Sequence, residues 1–270
     1  MLIRIGYSIA VTVTAPTPMI LMLNTRPELK DKFRTPDTLS VIPAEVPTTE
    51  YIDGFGNICT RLVVPTGSAT FSADGMIEAP DAPDPSDGSA VQHPIEALPH
   101  ETLEFLLASR YCEVDKISGF AWDKFGSTRP GWERVQAVCD YAHNHVTFGY
   151  NFANSTKTAI DVLNDGKGVC RDYQHLAVSL CRSLGIPARY ATGYLGDINV
   201  AAADGPMDFS AWFEVYLGDR WWAFDARYNT PRYGRTLMAV GRDAADVALI
   251  TSFGPHALDR FDVICEKVTG

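Results

Sequence analysis

The sequence predicts an α+β protein, in which a β-sandwich-like domain is followed by a core of helices packed on an antiparallel sheet. Two observations lead to this class. Apolar and polar residues alternate along residues 3–13 and 58–64, which is the period of a strand with one buried face. Beyond residue 100 the apolar residues recur at helical spacing, and from Arg189 onward the strand pattern returns.

The predicted domain boundaries follow from changes in composition. Residues 1–80 are expected to form the β domain, with a turn signal at 53–57, Asp-Gly-Phe-Gly-Asn, before the second alternating run. Residues 81–98 are crowded with Pro, Asp, Ser and Gly, so we interpret them as a linker without regular structure. Residues 99–270 then form the second domain.

The second domain is predicted to begin with helices and to continue with strands. The predicted helices cover about residues 101–109, 118–125, 131–145, 156–163 and 170–184. The predicted strands cover 189–198, 209–217 and 220–226. Helices that precede strands, instead of alternating with them, are typical of an α+β domain.

Composition excludes several classes of protein. The chain has 270 residues, of which 46% are hydrophobic and 21% charged, the balance of a globular protein and not of a disordered tail. Its net charge is -10, so its electrostatic field repels phosphate backbones and anionic lipid headgroups. We therefore expect neither nucleic acid nor a membrane as a partner, and the oligomeric state is left open.

The N-terminal residues and the cysteines favour a cytoplasmic protein. Residues 3–13 alternate in character instead of forming the continuous apolar run of a signal peptide. The six cysteines include no Cys-x-x-Cys pair, so we expect free thiols in a reducing compartment and no structural zinc. The sequence contains no phosphate-binding loop, dinucleotide fingerprint or calcium loop, so no cofactor is expected.

One cysteine, Cys170, stands at the first turn of a predicted helix, after the glycine-rich approach Gly-Lys-Gly-Val. Unpaired N–H groups and the macrodipole at a helix N-terminus stabilise a thiolate, and the same N–H groups could hold an oxyanion. The alternative is that Cys170 is a small buried hydrophobe, as free cysteines usually are.

The strand at 209–217 is expected to have two different faces. Alternation puts Ser210, Trp212 and Tyr216 on one face and the apolar core residues on the other. Trp212 and Tyr216 are therefore candidates for lining a substrate cleft, whereas the alternative is that they fill the core, as strand aromatics often do.

A two-residue hairpin turn at 218–219 would fix the pairing of this strand with the next one. The resulting register sets Trp212 opposite Asp225 and Ser210 opposite Arg227. Paired residues share a face, so Asp225 would be a diagonal neighbour of Ser210.

In this position Arg227 would stabilise a thiolate or bind an acidic substrate, but it cannot act as a base. The alternative is that Arg227, Arg232 and Arg235 form a solvated basic strip that pairs with nearby acids.

Four sequence blocks together resemble the transglutaminase-like superfamily, whose members are papain-like cysteine enzymes. They are Gly-Val-Cys at the helix start, then LGIPARYATGYL, AWFEVY and WWAFDA. The resemblance covers about residues 156–235. The N-terminal β region, with its Asp-Gly-Phe-Gly-Asn turn, is similar to the β domain that precedes this core in bacterial members.

The resemblance implies roles for three residues. Cys170 matches the family's nucleophile and Asp225 matches the acid that orients the catalytic histidine, but the histidine position itself holds Ser210. A serine hydroxyl has no useful pKa near neutrality, so it can neither take the thiol proton nor protonate a leaving amine.

The other histidines give no obvious replacement. His175 lies about 140° around the same predicted helix from Cys170, so it is expected at the surface or in a secondary contact. His143 and His145 lie on a different predicted helix, so only the fold decides whether they approach the site.

Two functions remain open, together with a question about Ser210. The first is a cysteine hydrolase or acyltransferase, in which Cys170 attacks an amide or ester carbonyl of a peptide or protein substrate. The second is a weak or inactive pseudoenzyme that uses the same cleft to bind peptides or to assemble. The question is whether Ser210 replaces a natural histidine.

Overall fold

The computed structural model describes residues 1–201 and 205–268. The described helices are α1 (Val114–Phe125), α2 (Trp132–His145), α3 (Ala159–Asp165) and α4 (Cys170–Ser183). The described strands are β1 (Leu2–Val13), β2 (Thr17–Leu21), β3 (Phe33–Thr35), β4 (Ser40–Ile42), β5 (Thr48–Ile52), β6 (Ile58–Val64), β7 (Gly67–Glu78), β8 (Thr147–Phe148), β9 (Lys167–Gly168), β10 (Ala188–Tyr194), β11 (Ser210–Leu217), β12 (Arg220–Phe224), β13 (Thr236–Gly241), β14 (Ile250–Ser252) and β15 (His256–Lys267). The predicted α+β class is confirmed.

Two antiparallel sheets form the N-terminal β region. One has the order β15-β1-β7-β3, with β4 also paired to β7, and the other has the order β14-β2-β6-β5. The alternation in β1 places every second side chain in the core, as the sequence predicts. The large buried side chains of this core include Ile3, Ile5, Ile9, Met19, Leu21 and Phe71.

The C-terminal strands return to this region. β15 pairs along β1, with Ile5 opposite Cys265, and β14 pairs with β2. The sequence analysis placed residues 99–270 in one second domain, whereas strand pairing joins the last two strands to the N-terminal sheets. Local periodicity predicts that a segment is a strand, but it does not predict which distant strand is its neighbour.

The segment 81–98, which we call the strap, has little regular structure, as expected, but it packs closely on the core. The carbonyl of Ala90 accepts a hydrogen bond from Trp132 N, and the carbonyl of Val91 accepts one from Gly218 N. Asp84 forms an ion pair with Arg235 at 2.9 Å. The strap is therefore part of the folded structure and not a free linker.

α4 is the central helix of the core. It packs on α1, α2 and α3 and on strands β10 and β11 of the sheet β12-β11-β10-β13. Its residues from Tyr173 to Ser183 are all buried. Of the helices in the described part of the chain, none is long and apolar enough to cross a membrane.

The β11–β12 hairpin has the predicted turn. Gly218 and Asp219 both have positive φ, at 52° and 68°, which is the backbone of a two-residue hairpin loop, and Leu217 pairs with Arg220. The ladder ends at the pair Phe213–Phe224, because the backbone then turns. The expected pairs of Trp212 with Asp225 and Ser210 with Arg227 are therefore not strand pairs.

Candidate active site

A tight approach positions Cys170 at the start of α4. Gly166 ends α3 in the left-handed region with φ 63°, and β9 then pairs in parallel with β8. At Gly168 an added Cβ would lie 2.6 Å from the Cβ of Asp172, so no larger residue fits there. The buried Asp172 carboxylate accepts a hydrogen bond from Val169 N at 2.9 Å, which caps the helix.

The Cys170 side chain is partly buried and opens onto a cleft, which we call the thiol cleft. Its lining includes Tyr150, Leu195, Asp208, Ser210, Arg227 and Tyr228. Burial raises the pKa of the Cys170 thiol above its ordinary value, while the Arg227 guanidinium and the backbone N–H of Arg171 act in the opposite direction. Desolvation therefore outweighs the helix N-terminus and favours the neutral thiol over the thiolate.

Ser210 begins β11 and lines the thiol cleft beside Cys170. Its backbone pairs with Gly193 of β10, and its carbonyl accepts a hydrogen bond from the Thr192 hydroxyl at 3.1 Å. The fold thus brings Cys170, Ser210 and Arg227 to one cleft, although strand pairing alone does not join Ser210 to Arg227.

Asp225 is buried at the turn that follows β12. Its Oδ1 accepts hydrogen bonds from the backbone N–H of Arg227 at 3.0 Å and of Tyr228 at 3.1 Å. Its Oδ2 lies 3.6 Å from Nη1 of Arg235, and this oxygen has no hydrogen-bond partner within the described chain. Asp225 is near enough to Cys170 to raise the pKa of the thiol. One carboxylate oxygen therefore stabilises the turn and the other is an open acceptor.

Gln174 connects the cysteine helix to this turn, and the sequence analysis did not identify it. It lies one helical turn after Cys170 and is fully buried. Its Nε2 donates to Asp225 Oδ1 at 3.3 Å and to the Ala211 carbonyl at 3.2 Å, while its Oε1 accepts from Ala226 N at 3.2 Å. The i, i+4 spacing from Cys170 was the available signal, because it places both residues on one helix face.

The structure does not bring Trp212 or Tyr216 to the thiol cleft. Trp212 is 0% exposed, with the Arg235 guanidinium 4.6 Å from its ring centre. Tyr216 packs edge-on against Trp221 at 5.5 Å and near His93. Both faces of β11 are covered, so the aromatic residues of the second face belong to the packed interior.

The three arginines have separate environments and do not form a solvated strip. The Arg227 guanidinium lies 3.8 Å from the ring centre of Phe148 and faces the thiol cleft. Arg232 is buried in an ion pair with Asp197 at 3.0 Å, while the Arg235 side chain is 7% exposed between Asp84 and Asp225. Of the three, Arg227 is the one that lines the cleft.

His175 is fully buried, contrary to the surface or secondary position that its helix angle predicts. It stacks on Tyr111 with ring centres 5.0 Å apart, and its Nε2 accepts a hydrogen bond from Ala244 N at 3.2 Å. Burial lowers the pKa of His175 well below its ordinary value. The expectation was wrong because α4 is enclosed on all sides, so a helix face that looks polar in the sequence still meets other elements.

His143 and His145 make contacts outside the thiol cleft. His143 Nδ1 lies 2.8 Å from the Arg227 carbonyl, and His145 Nε2 lies 2.8 Å from the Leu163 carbonyl. Among the described residues that line the thiol cleft there is no histidine. The base that the family position lacks is therefore not supplied by another imidazole in this part of the chain.

Most of the other lining residues were not candidates from the sequence, among them Tyr150, Asp208 and Tyr228. Asp208 carried a usable signal, because it lies two residues before Ser210 and so projects to the same side of an extended chain. Tyr150 carried none, since the short 3₁₀ turn that holds it is distant in sequence from the other lining residues.

The core has the three features of a papain-like fold. A cysteine begins helix α4, this helix packs against an antiparallel sheet, and an aspartate directly follows β12. Residues 122–226 match the family described as the transglutaminase-like superfamily, and this range contains both Cys170 and Asp225. The chain therefore contains a transglutaminase-like core, which confirms the resemblance found in the sequence.

The similarity to known proteins extends beyond that core. A solved structure of a putative cysteine protease from Cytophaga hutchinsonii is 29% identical, covers 100% of this chain and 91% of its own, and has a TM-score of 0.85. An uncharacterized protein of Mycobacterium leprae is 26% identical over 227 residues, or 80% of each chain. An uncharacterized protein of Mycobacterium tuberculosis is 26% identical over 231 residues, or 77% of this chain and 73% of the relative.

Proposed function

We propose that the protein is a slow transglutaminase-like cysteine hydrolase or acyltransferase, with Cys170 as its nucleophile. The observation that supports this most directly is the Cys170 thiol, which opens onto a cleft at the start of α4 beside Arg227. In the proposed reaction the sulfur attacks an amide or ester carbonyl and forms a thioester, and water or an amine then takes the acyl group. Peptide or protein amides are the proposed substrates.

The rate is expected to be low for a physical reason. The thiol pKa is raised, so little thiolate exists near neutrality, and Ser210 supplies no base. Asp225 keeps a structural contribution in this proposal, because its Oδ1 holds the turn that carries Arg227. A cytoplasmic location and the absence of a cofactor remain predictions from the sequence.

A second candidate is a peptide-binding module that uses the thiol cleft without turnover. The observation that favours it is the combination of Ser210 at the histidine position with a thiol that stays protonated. In such a protein, substitution of Cys170 would leave peptide binding unchanged.

One experiment separates the two candidates. The protein is incubated with a p-nitrophenyl ester and with a peptide amide library, and intact mass is used to look for an acyl adduct on Cys170. The matched variants are Cys170→Ser and Cys265→Ser, the latter altering a buried cysteine away from the cleft. Adduct and turnover that are lost in Cys170→Ser but kept in Cys265→Ser support the enzyme. Equal turnover in wild type and Cys170→Ser contradicts it.

A further inference from the structure

The thiol cleft contains a carboxylate, that of Asp208, two residues before Ser210, which holds the histidine position of the family. Asp208, Phe209 and Ser210 all contribute to the lining of the cleft, and the Phe209 ring also packs into the N-terminal core, 6.1 Å from Tyr7 and 5.1 Å from Tyr194. The packed Phe209 ring anchors this stretch of chain, which carries Asp208 and Ser210 along the cleft that Cys170 also lines.

The other polar side chains of the cleft are less suited than Asp208 to accept a proton from the thiol. The Arg227 guanidinium has no acceptor atom, and the phenol oxygens of Tyr150 and Tyr228 are far weaker bases than a carboxylate. Asp197 also lines the cleft, but it is held in an ion pair with the buried Arg232. Among the described lining residues, Asp208 is the carboxylate that forms no ion pair within 4.0 Å.

We propose that Asp208 is the catalytic residue that accepts the proton of Cys170, in the position from which a histidine would otherwise act. This inference rests on the proposed function, since it assigns the base of the same reaction. As the sulfur attacks the carbonyl carbon, the S–H proton passes to the Asp208 carboxylate and the carbonyl π electrons move to oxygen. When the C–N bond breaks, the Asp208 carboxylic acid gives the proton to the leaving amine, which leaves a thioester on Cys170.

The same group serves the second half of the reaction. A water molecule attacks the thioester and gives its proton to Asp208, the C–S bond breaks, and the proton then passes to sulfur. The products are a carboxylic acid and the regenerated Cys170 thiol. No oxidant, reductant or metal ion is needed for either half.

The electrostatics of the cleft agree with this assignment. Burial raises the pKa of the Asp208 carboxyl, while the N–H of Phe209 and the guanidinium of Arg227 oppose that rise. Asp208 in turn raises the pKa of the Cys170 thiol. A raised carboxyl pKa makes the Asp208 carboxylate a stronger base, and a raised thiol pKa favours the protonated Cys170 from which a general base removes the proton.

This arrangement gives Asp208→Asn two effects of opposite sign. Removal of the negative charge lowers the thiol pKa, so alkylation of Cys170 by iodoacetamide at pH 8 becomes faster, by up to about tenfold per unit of pKa. Loss of the base slows Cys170-dependent ester hydrolysis by about 10²-fold, the lower end of the usual contribution of a general base. If Asp208 acted only through its charge, Asp208→Asn would accelerate both alkylation and hydrolysis.

The experiment measures both rates on wild type, Asp208→Asn and the control Asp219→Asn, which removes an exposed carboxylate at the hairpin tip. Faster alkylation with slower hydrolysis supports the inference, and hydrolysis that is unchanged or faster in Asp208→Asn overturns it. The pH profile is the second measurement, because wild-type kcat/KM should level off above the carboxyl pKa, whereas Asp208→Asn should keep rising toward the thiol pKa. Wild-type hydrolysis equal to that of Cys170→Ser would instead overturn the proposed function, and this inference with it.

Discussion

Substitution of Ser210 by histidine tests whether the thiol cleft retains the geometry of a catalytic triad. The new imidazole would stand beside Cys170, where Ser210 now lines the cleft. Its second nitrogen needs an acceptor, and Asp225 Oδ2 has no hydrogen-bond partner among the described residues. The other oxygen, Oδ1, is already occupied by Gln174 and two backbone N–H groups.

The expected gain follows from the contribution of a positioned general base. Such a base accelerates a reaction by about 10²- to 10⁴-fold, which corresponds to about 2.7–5.4 kcal/mol of activation free energy. Arg235 Nη1 lies 3.6 Å from Asp225 Oδ2 and competes for that oxygen. We therefore expect Ser210→His to increase ester hydrolysis by about 10²-fold over a site without a base, as in Asp208→Asn, and by less over wild type, in which Asp208 is the proposed base.

The assay is hydrolysis of a p-nitrophenyl ester between pH 6 and 9, with intact mass to detect the acyl-enzyme. Ser210→Asn is the matched control, because asparagine is polar and planar but cannot take a proton. The double variant with Cys170→Ser must lose the gain. If Ser210→His is no faster than Ser210→Asn, then Asp225 does not orient an imidazole in this cleft and the reasoning from its open oxygen is refuted.

Three other predictions concern the cleft and the core. Arg227→Gln removes the cation that opposes the rise in the Cys170 pKa, so iodoacetamide alkylation of Cys170 at pH 8 should slow. Arg227→Lys keeps the charge and should keep most of the rate. Equal rates in wild type and Arg227→Gln would contradict this prediction. Burial lowers the pKa of His175, so below about pH 6.5 the unfolded state binds a proton that the folded state does not. As the pH is lowered through this range, the free energy of unfolding should therefore fall by up to about 1.4 kcal/mol per pH unit. Urea unfolding at pH 5.5 and 7.5 checks this, and a difference that His175→Phe leaves unchanged would assign it to other groups. Phe213 is fully buried between α4 and the sheet, so Phe213→Ala should cost about 3–5 kcal/mol in urea unfolding, and a loss under about 1 kcal/mol would show that the site repacks.

The elements that the sequence predicted well are those whose cause is local. The alternation of β1 and β6 and the turn at Gly218–Asp219 depend on neighbouring residues, and the structure confirms them. The start of α4 at Cys170 is also local, since the capping carboxylate is only three residues from Val169.

The elements that the sequence could not predict depend on distant packing. The burial of His175 comes from the elements that surround α4, and the raised pKa of Cys170 comes from desolvation by the whole cleft. Trp212 was a cleft candidate because its face of β11 was assumed to be open, but Arg235 and the other covering residues become neighbours only in the fold. The spacing of Asp208 two residues before Ser210 was visible in the sequence, but it indicates no chemistry until the fold brings both residues to the cleft of Cys170.

The pairing of β1 with β15 has a consequence for synthesis. β1 leaves the ribosome long before β15, its partner on one edge, so Ile5 cannot pair opposite Cys265 until the intervening chain has been made. During that time β1 can pair with β7, while the helices around α4 and their sheet can already assemble. Until residues 256–267 have been made, the edge of β1 that pairs with β15 stays open, so a chain stalled before residue 256 would present an unpaired strand edge on which other chains could pair.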